Sequence, residues 1–229
     1  RWIHVDLNDP TALGRQASDA LDAMPPLAGV VHCAGVLKDS PLQNTSWADV
    51  DSVMQGKALG AQHLHDLTTN RSLDFFVMFS SAASVLGNAG QVAYAMANAY
   101  LDGLAQQRRS EGLHACSINW GPWAGSGMAN TDEAVKRQLR SQGFRPLDPT
   151  YAIAALEHVL RINATQMTVL DCDWARYQVA AKANGALITG LAKPETGEPR
   201  TGTRTNKDNH DLARMQPDER LRALTRMIN

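Results

Sequence analysis

Residues 74–105 read DFFVMFSSAASVLGNAGQVAYAMANAYLDGLA, and the change of texture along this stretch decides the fold. Residues 75–79 form a continuous apolar run, rich in strand formers and too short for a helix. A strand buried on both faces of a parallel sheet has that appearance. The run ends at Ser80-Ser81, crosses a predicted loop holding Gly87 and Gly90, and enters an Ala-rich helix that carries Tyr94 and Asn98. Ligands of open α/β sheets bind outside the carboxyl ends of the strands. Ser81 stands at such an end, and Tyr94 and Asn98, one helical turn apart, share a helix face. A site is therefore expected here.

Upstream, residues 2–6 read as a strand, residues 9–23 as an amphipathic helix and residues 27–32 as a second buried strand. The latter runs into Ala34-Gly35, and a glycine just past a strand either lets backbone approach a ligand or simply makes a turn. The next helix starts at Ser46 with Asp49 three residues on, a capping-box pattern. Its apolar stripe is Val50, Val53, Met54, Ala58, Ala61 and Leu64, and Lys57 falls inside that stripe. A lysine on an inward face is costly unless its charge has a task or a partner.

Downstream, residues 114–120 form a strand closed by Gly121-Pro122-Trp123. Residues 124–130 hold Gly125 and Gly127 and suit a lid. Helices are expected at 132–141 and 149–162 and a last strand at 167–171. Five strands alternating with helices predict an α/β fold, a Rossmann-like doubly wound parallel sheet.

Composition is that of a soluble globular chain: 44% hydrophobic and 20% charged residues over 229 positions. A formal net charge of -1 gives no reason to expect nucleic acid or an acidic membrane surface as partner. No apolar run approaches a membrane span and no secretory signal opens the chain. Cys33, Cys116 and Cys172 are widely spaced, match no metal-ligand pattern, and read as reduced, buried thiols of a cytoplasmic protein. The chain opens without Met on RWIHVDLND, which reads as a cut through a larger protein. Residues 181–215 have the composition of a flexible linker. Residues 216–229 restart a short helix with Pro217, Asp218 and Glu219 at its start and Leu221, Leu224 and Ile228 on one face. So short a helix is expected to belong to a following domain.

Four segments carry a family resemblance: VVHCAGV at 30–36, the Lys57 helix, FVMFSSAASVLGNAGQVAYAMANAYLD at 76–102 and SINWGPWAGSGMA at 117–129. Over residues 1–177 the chain resembles the ketoreductase domain of modular (type I) polyketide synthases, a branch of the short-chain dehydrogenase/reductases. Most relatives in that superfamily place tyrosine and lysine on one turn as YxxxK. Here the turn holds Tyr94 and Asn98 and the lysine is Lys57 on the preceding helix, an exchange characteristic of polyketide ketoreductases.

The resemblance implies a catalytic set of Ser81, Tyr94, Asn98 and Lys57. Tyr94 would protonate the alkoxide left by hydride transfer, with Lys57 lowering its pKa. Ser81 would orient the carbonyl, and Asn98 would hold Lys57 or a water. Taken singly, each is better read plainly, Ser81 capping a turn, Tyr94 with its hydroxyl at the surface and Asn98 solvated; all four at family spacing, with a lysine facing inward, point to catalysis. For NADPH, the resemblance assigns Asp6-Leu7 to the adenine, His32, Cys33, Ala34 and Gly35 to the ribose and nicotinamide, and Gly121-Pro122 to the carboxamide. Leu37, Lys38 and Asp39 stand where one stereochemical class has Leu-Asp-Asp, and Leu86 stands where the opposing class has tryptophan. These imply a B-type, D-configured product, with Trp123 also at the substrate side.

The family's Gly-rich phosphate loop and its NADPH-selecting arginine are missing from residues 1–229. In the family strand order, residues 2–6 would be strand three and 27–32 strand four, with strands one and two between them. The sheet is therefore expected to be N-terminally incomplete, and the piece to be inactive without the upstream half of the ketoreductase. The expected activity is NADPH-dependent reduction of a β-ketoacyl thioester on the phosphopantetheine arm of an acyl carrier protein. Two alternatives stand beside it: a catalytically silent spacer in a megasynthase, and a reductase of free ketones or fatty acyl chains.

Overall fold

The computed structural model describes residues 4–125 and 133–181. Four parallel strands form the sheet in the order β1 (Gly29–His32), β2 (Phe75–Ser81), β3 (Cys116–Trp120) and β5 (Gln166–Val169). The central apolar run is indeed buried on both faces. Phe76 and Met78 turn toward Leu101 and Leu104 of α5 (Val92–Ser110), while Val77 and Ile118 turn toward Ala152 and Val159 of α7 (Pro149–Arg161). Full burial of each large apolar side chain contributes about 1.5–3 kcal/mol, so the alternation along β2 ties both helix layers to one strand. The architecture is the doubly wound, Rossmann-like α/β fold.

Helix α1 (Pro10–Asp22) starts where Asp9 accepts a hydrogen bond from the Ala12 amide and Pro10 takes the first position. Ser46 and Asp49 close the expected capping box at the start of α2 (Trp47–Met54). The expected continuous helix is interrupted: residues Gln55–Leu59 form a π turn before α3 (Gly60–Thr68) resumes. Lys57 lies in that turn.

Other sequence expectations need correction. Residues 4–6 are not a strand; the Asp9 amide bonds to the Asp6 carbonyl and the Asn8 amide to the Asp6 carboxylate, making a turn. Among the described residues β1 pairs only with β2, so no ladder is available to residues 4–6. The loop expected after Ser81 contains a short helix, α4 (Ala82–Leu86), ended by Gly87 at φ 72°. The last strand divides in two: β5 stays in the main sheet, and β6 (Asp171–Cys172) pairs antiparallel with β4 (Phe144–Arg145). Helix α6 (Glu133–Ser141) was anticipated, whereas α8 (Trp174–Ala181) was not. Tyr177 of α8 packs with Phe144 against Ala82 and Leu86, so these late elements cover the end of β2. Of the three thiols expected to be buried only Cys116 is; Cys33 is exposed and Cys172 half-buried. The expected lid beyond Gly125, the linker and the closing helix lie outside the described residues. No helix among the described residues is long and apolar enough to cross a membrane.

Candidate active site

The carboxyl ends of β1, β2 and β3 open into a cavity of about 330 Å³. Cys33, Leu37, Asp39, Lys57, Ser81, Leu86, Tyr94, Gly121, Pro122 and Trp123, all expected site residues, line it. Tyr94 reaches it from the first turn of α5, and Ser81 from the last position of β2. The Ser81 hydroxyl also accepts from the Ala83 amide at 3.2 Å, so one side chain caps α4 and faces the cavity.

Lys57 is only 3% exposed. Its Nζ donates to the Phe79 carbonyl at 2.9 Å and lies 5.8 Å from the centroid of the Tyr94 ring. Isolated π turns in helices are frequent at functional sites. Here the turn is held from β1: His32, 2% exposed, donates from Nε2 to the Lys57 carbonyl at 2.8 Å. Burial keeps the His32 pKa below its ordinary value against the upward pull of the bond to the Lys57 carbonyl, and the Lys57 charge adds to the lowering. Gly35 leaves room for the same lysine: a β-carbon there would stand 2.7 Å from Lys57 Cε, and the side chain would have to shift.

Burial pushes the Lys57 pKa down to about 8, opposed by the Cys33 thiol. Tyr94 departs from expectation. Burial raises its pKa, Asp39 raises it further, and the Ser81 and Asn98 side chains pull it down. Loss of water dominates that balance, and the Lys57 ammonium 5.8 Å from the ring centroid does not reverse it. Asn98 is fully buried, and its Nδ2 donates to the Tyr94 carbonyl one turn back at 2.8 Å, not to Lys57. Its Oδ1 is buried with no hydrogen-bond partner.

The KR domain family model matches residues 1–125. Polyketide synthase GfsA of Streptomyces halstedii is 43% identical over 177 residues, 76% of this chain and 2% of that protein. The chain belongs to the ketoreductase domains of modular polyketide synthases. The pikromycin polyketide synthase component PikAIII of Streptomyces venezuelae is 41% identical over 175 residues, 76% of this chain and 11% of its own. Among solved structures, an A-type ketoreductase from a modular polyketide synthase matches with TM-score 0.74 and 40% identity, covering 80% of this chain and 38% of that one. The first ketoreductase of the tylosin synthase matches with TM-score 0.70 and 41% identity, covering 78% and 38%. The ketoreductase chain thus spans well under half of the solved domains it matches.

Not every expected residue of the ketoreductase reaches the cavity: Asp6, Leu7, His32, Ala34, Gly35 and Asn98 do not line it. Leu7 instead packs close to Gly60, and its carbonyl accepts from His63 Nδ1 at 2.6 Å. The His32 side chain donates to the Lys57 carbonyl and Gly35 leaves room for the Lys57 side chain; the family resemblance assigns the backbone of this segment, not its side chains, to the cofactor. At the rim, Gln91 donates to Asp39 at 2.8 Å and accepts from Asn88 at 2.9 Å, while Lys38 is exposed. Gly121 leaves no room for a β-carbon because Leu170 Cβ would be 2.8 Å away. Trp120 and Trp123 meet edge-on at 5.1 Å and, with Phe79, make an aromatic wall. Sequence reasoning missed Asn88 and Gln91, whose signal was only their nearness to Tyr94.

Proposed function

We propose that this chain is the catalytic part of a ketoreductase that reduces a β-ketoacyl thioester, carried on an acyl carrier protein, to the β-hydroxyacyl thioester with NADPH. The observation that carries the reading is a buried Lys57 over the Tyr94 ring, with Ser81 lining the same cavity at the strand ends. The nicotinamide end of a dinucleotide fits the residues present, since Cys33, Gly121 and Pro122 bring strand-end backbone to that cavity. When bound, NADPH supplies a hydride to the carbonyl carbon. Ser81 orients the ketone oxygen by hydrogen bonding, and the Tyr94 hydroxyl delivers the proton to that oxygen as the C–O π pair moves onto it. A high pKa keeps Tyr94 protonated until the alkoxide forms, and Lys57 stabilises the phenolate left behind.

The product is proposed to be B-type, D-configured. Asp39 holds the family position for that class, and its bond to Gln91 fixes it at the cavity rim; Leu86 occupies the place of the opposing tryptophan. Residues 1–229 are proposed to need the remaining ketoreductase sequence for activity, β1 being the open edge of the described sheet.

The test is Tyr94→Phe in a complete ketoreductase domain containing these residues. NADPH consumption with a β-ketoacyl carrier substrate should fall on the order of 10²–10⁴-fold with cofactor affinity retained. A wild-type domain that consumes no NADPH would favour the silent-spacer reading, and equal turnover of a free ketone would favour the small-ketone reading.

A further inference from the structure

The two faces of β3 differ in chemistry. Cys116, Ile118 and Trp120 pack toward α7, whereas Ser117 and Asn119 are fully buried on the α5 side. Buried polar side chains require partners, and these two find theirs in Asp102. That residue lies four positions beyond Asn98 and eight beyond Tyr94, on the same face of α5. Its Oδ1 accepts from the Ser117 hydroxyl at 2.5 Å, its Oδ2 from the Ser84 hydroxyl at 2.8 Å, and the Asn119 amide nitrogen lies 2.9 and 2.8 Å from the two oxygens.

The cluster continues to the site. The Asn119 amide is also 3.0 Å from the Ser80 hydroxyl, and Ser80 donates to the Asn98 carbonyl at 3.2 Å. Ser80 immediately precedes Ser81, and the Ser84 hydroxyl reaches the Ser81 carbonyl at 2.8 Å as an alternative to Asp102. Gln166 donates to Asn119 Oδ1 at 3.1 Å, which fixes the nitrogen end of that amide toward Asp102. The Ser117 hydroxyl and the Asn119 amide present protons to one point, and the Ser84 hydroxyl adds a third when it turns from the Ser81 carbonyl. A carboxylate accepts from all of them; a carboxamide would turn an N–H of its own toward one of the donors.

We propose that Asp102 is a positioning residue for the reduction: its carboxylate clamps the helix of Tyr94 to the strand end and short helix around Ser81, and so sets the separation of the proton donor from the hydroxyl that orients the ketone. The inference rests on the reading of Tyr94 and Ser81 given above. Asp102 is absent from the cavity lining and does not take part in the chemistry itself.

The experiment is Asp102→Asn in a complete ketoreductase domain, with kcat, KM and NADPH affinity measured beside thermal unfolding. Misplacement of about 1 Å costs on the order of 10²-fold in rate. Turnover at saturating substrates should therefore fall about 10–100-fold, with KM and NADPH affinity within about twofold of wild type. A variant that only melts earlier, with kcat unchanged, would show the cluster to be purely structural and overturn the proposal. If Asp102→Asn does not fold, Ser117→Ala deletes one donor and leaves the carboxylate; it should lower kcat in the same way but less, and an unchanged kcat overturns the proposal equally. Tyr94→Phe in parallel separates the two levels. If it keeps its turnover, the reading of the site falls. If it loses activity while Asp102→Asn does not, only the positioning role falls.

Discussion

The His32 imidazole donates to the Lys57 carbonyl across 2.8 Å, joining the end of β1 to the π turn that carries the lysine. The pair is 25 residues apart in sequence. It gives the buried imidazole its partner and ties the π turn to the end of β1.

Replacing His32 by leucine removes the imidazole donor and leaves the Lys57 carbonyl only the Gly60 amide, at a cost of about 0.5–1.5 kcal/mol. The melting temperature should fall. If the bond also sets the lysine, kcat of a complete domain should drop about tenfold while NADPH affinity holds. Unfolding curves and steady-state kinetics on one preparation check both.

Lys57 should lose its charge as the pH rises through about 8, because burial holds it below the ordinary lysine value. Reduction should then decline on the alkaline side with an inflection near that pH, and Lys57→Met should remove the inflection along with most activity. The linkage has a definite sign. Between about pH 8 and the unfolded lysine value the unfolded chain binds more protons, so this group makes stability rise with pH across that window. Urea midpoints of wild type and Lys57→Met against pH test it, the variant lacking that increment.

Asp39 is held by Gln91 at the cavity rim, and its charge raises the Tyr94 pKa. Asp39→Ala should loosen stereochemical control and give a mixture of hydroxy epimers, where wild type should give mainly the D product. Chiral chromatography of the released hydroxy acid reads this directly. A predominantly L product from wild type would remove the B-type assignment.

Arg108 is 1% exposed, lies 3.9 Å over the Phe76 ring, and donates to the His114 carbonyl and to His65 Nδ1 at 3.1 and 2.9 Å. It faces away from the cavity. Arg108→Ala should destabilise the fold through the lost stacking on Phe76 and through the acceptors left buried, each at about 1–3 kcal/mol. In the folded fraction at low temperature kcat should be unchanged, which makes this variant the stability control for Asp102→Asn.

Local pattern decided much of this protein. The apolar run at 75–79 announces a doubly buried strand, Ser46 and Asp49 announce a helix start, and Lys57 among apolar neighbours announces a buried charge, because each signal is complete within a few residues. Ser81, Tyr94 and Lys57 could therefore be singled out from local pattern and Asp39 from the family resemblance, and all four line one cavity. What the sequence could not determine depends on groups far apart along the chain. Residues 4–6 have strand-like composition, but a strand exists only with a ladder partner. The π turn depends on His32 and on the Phe79 carbonyl, and the β4–β6 pair on residues that meet only after the chain folds. The Tyr94 pKa rises because tertiary burial removes water from the phenol, a quantity that one-dimensional spacing does not contain. Asp102 reads as an ordinary polar position on a helix, and only the packing of α5 on β3 surrounds it with donors.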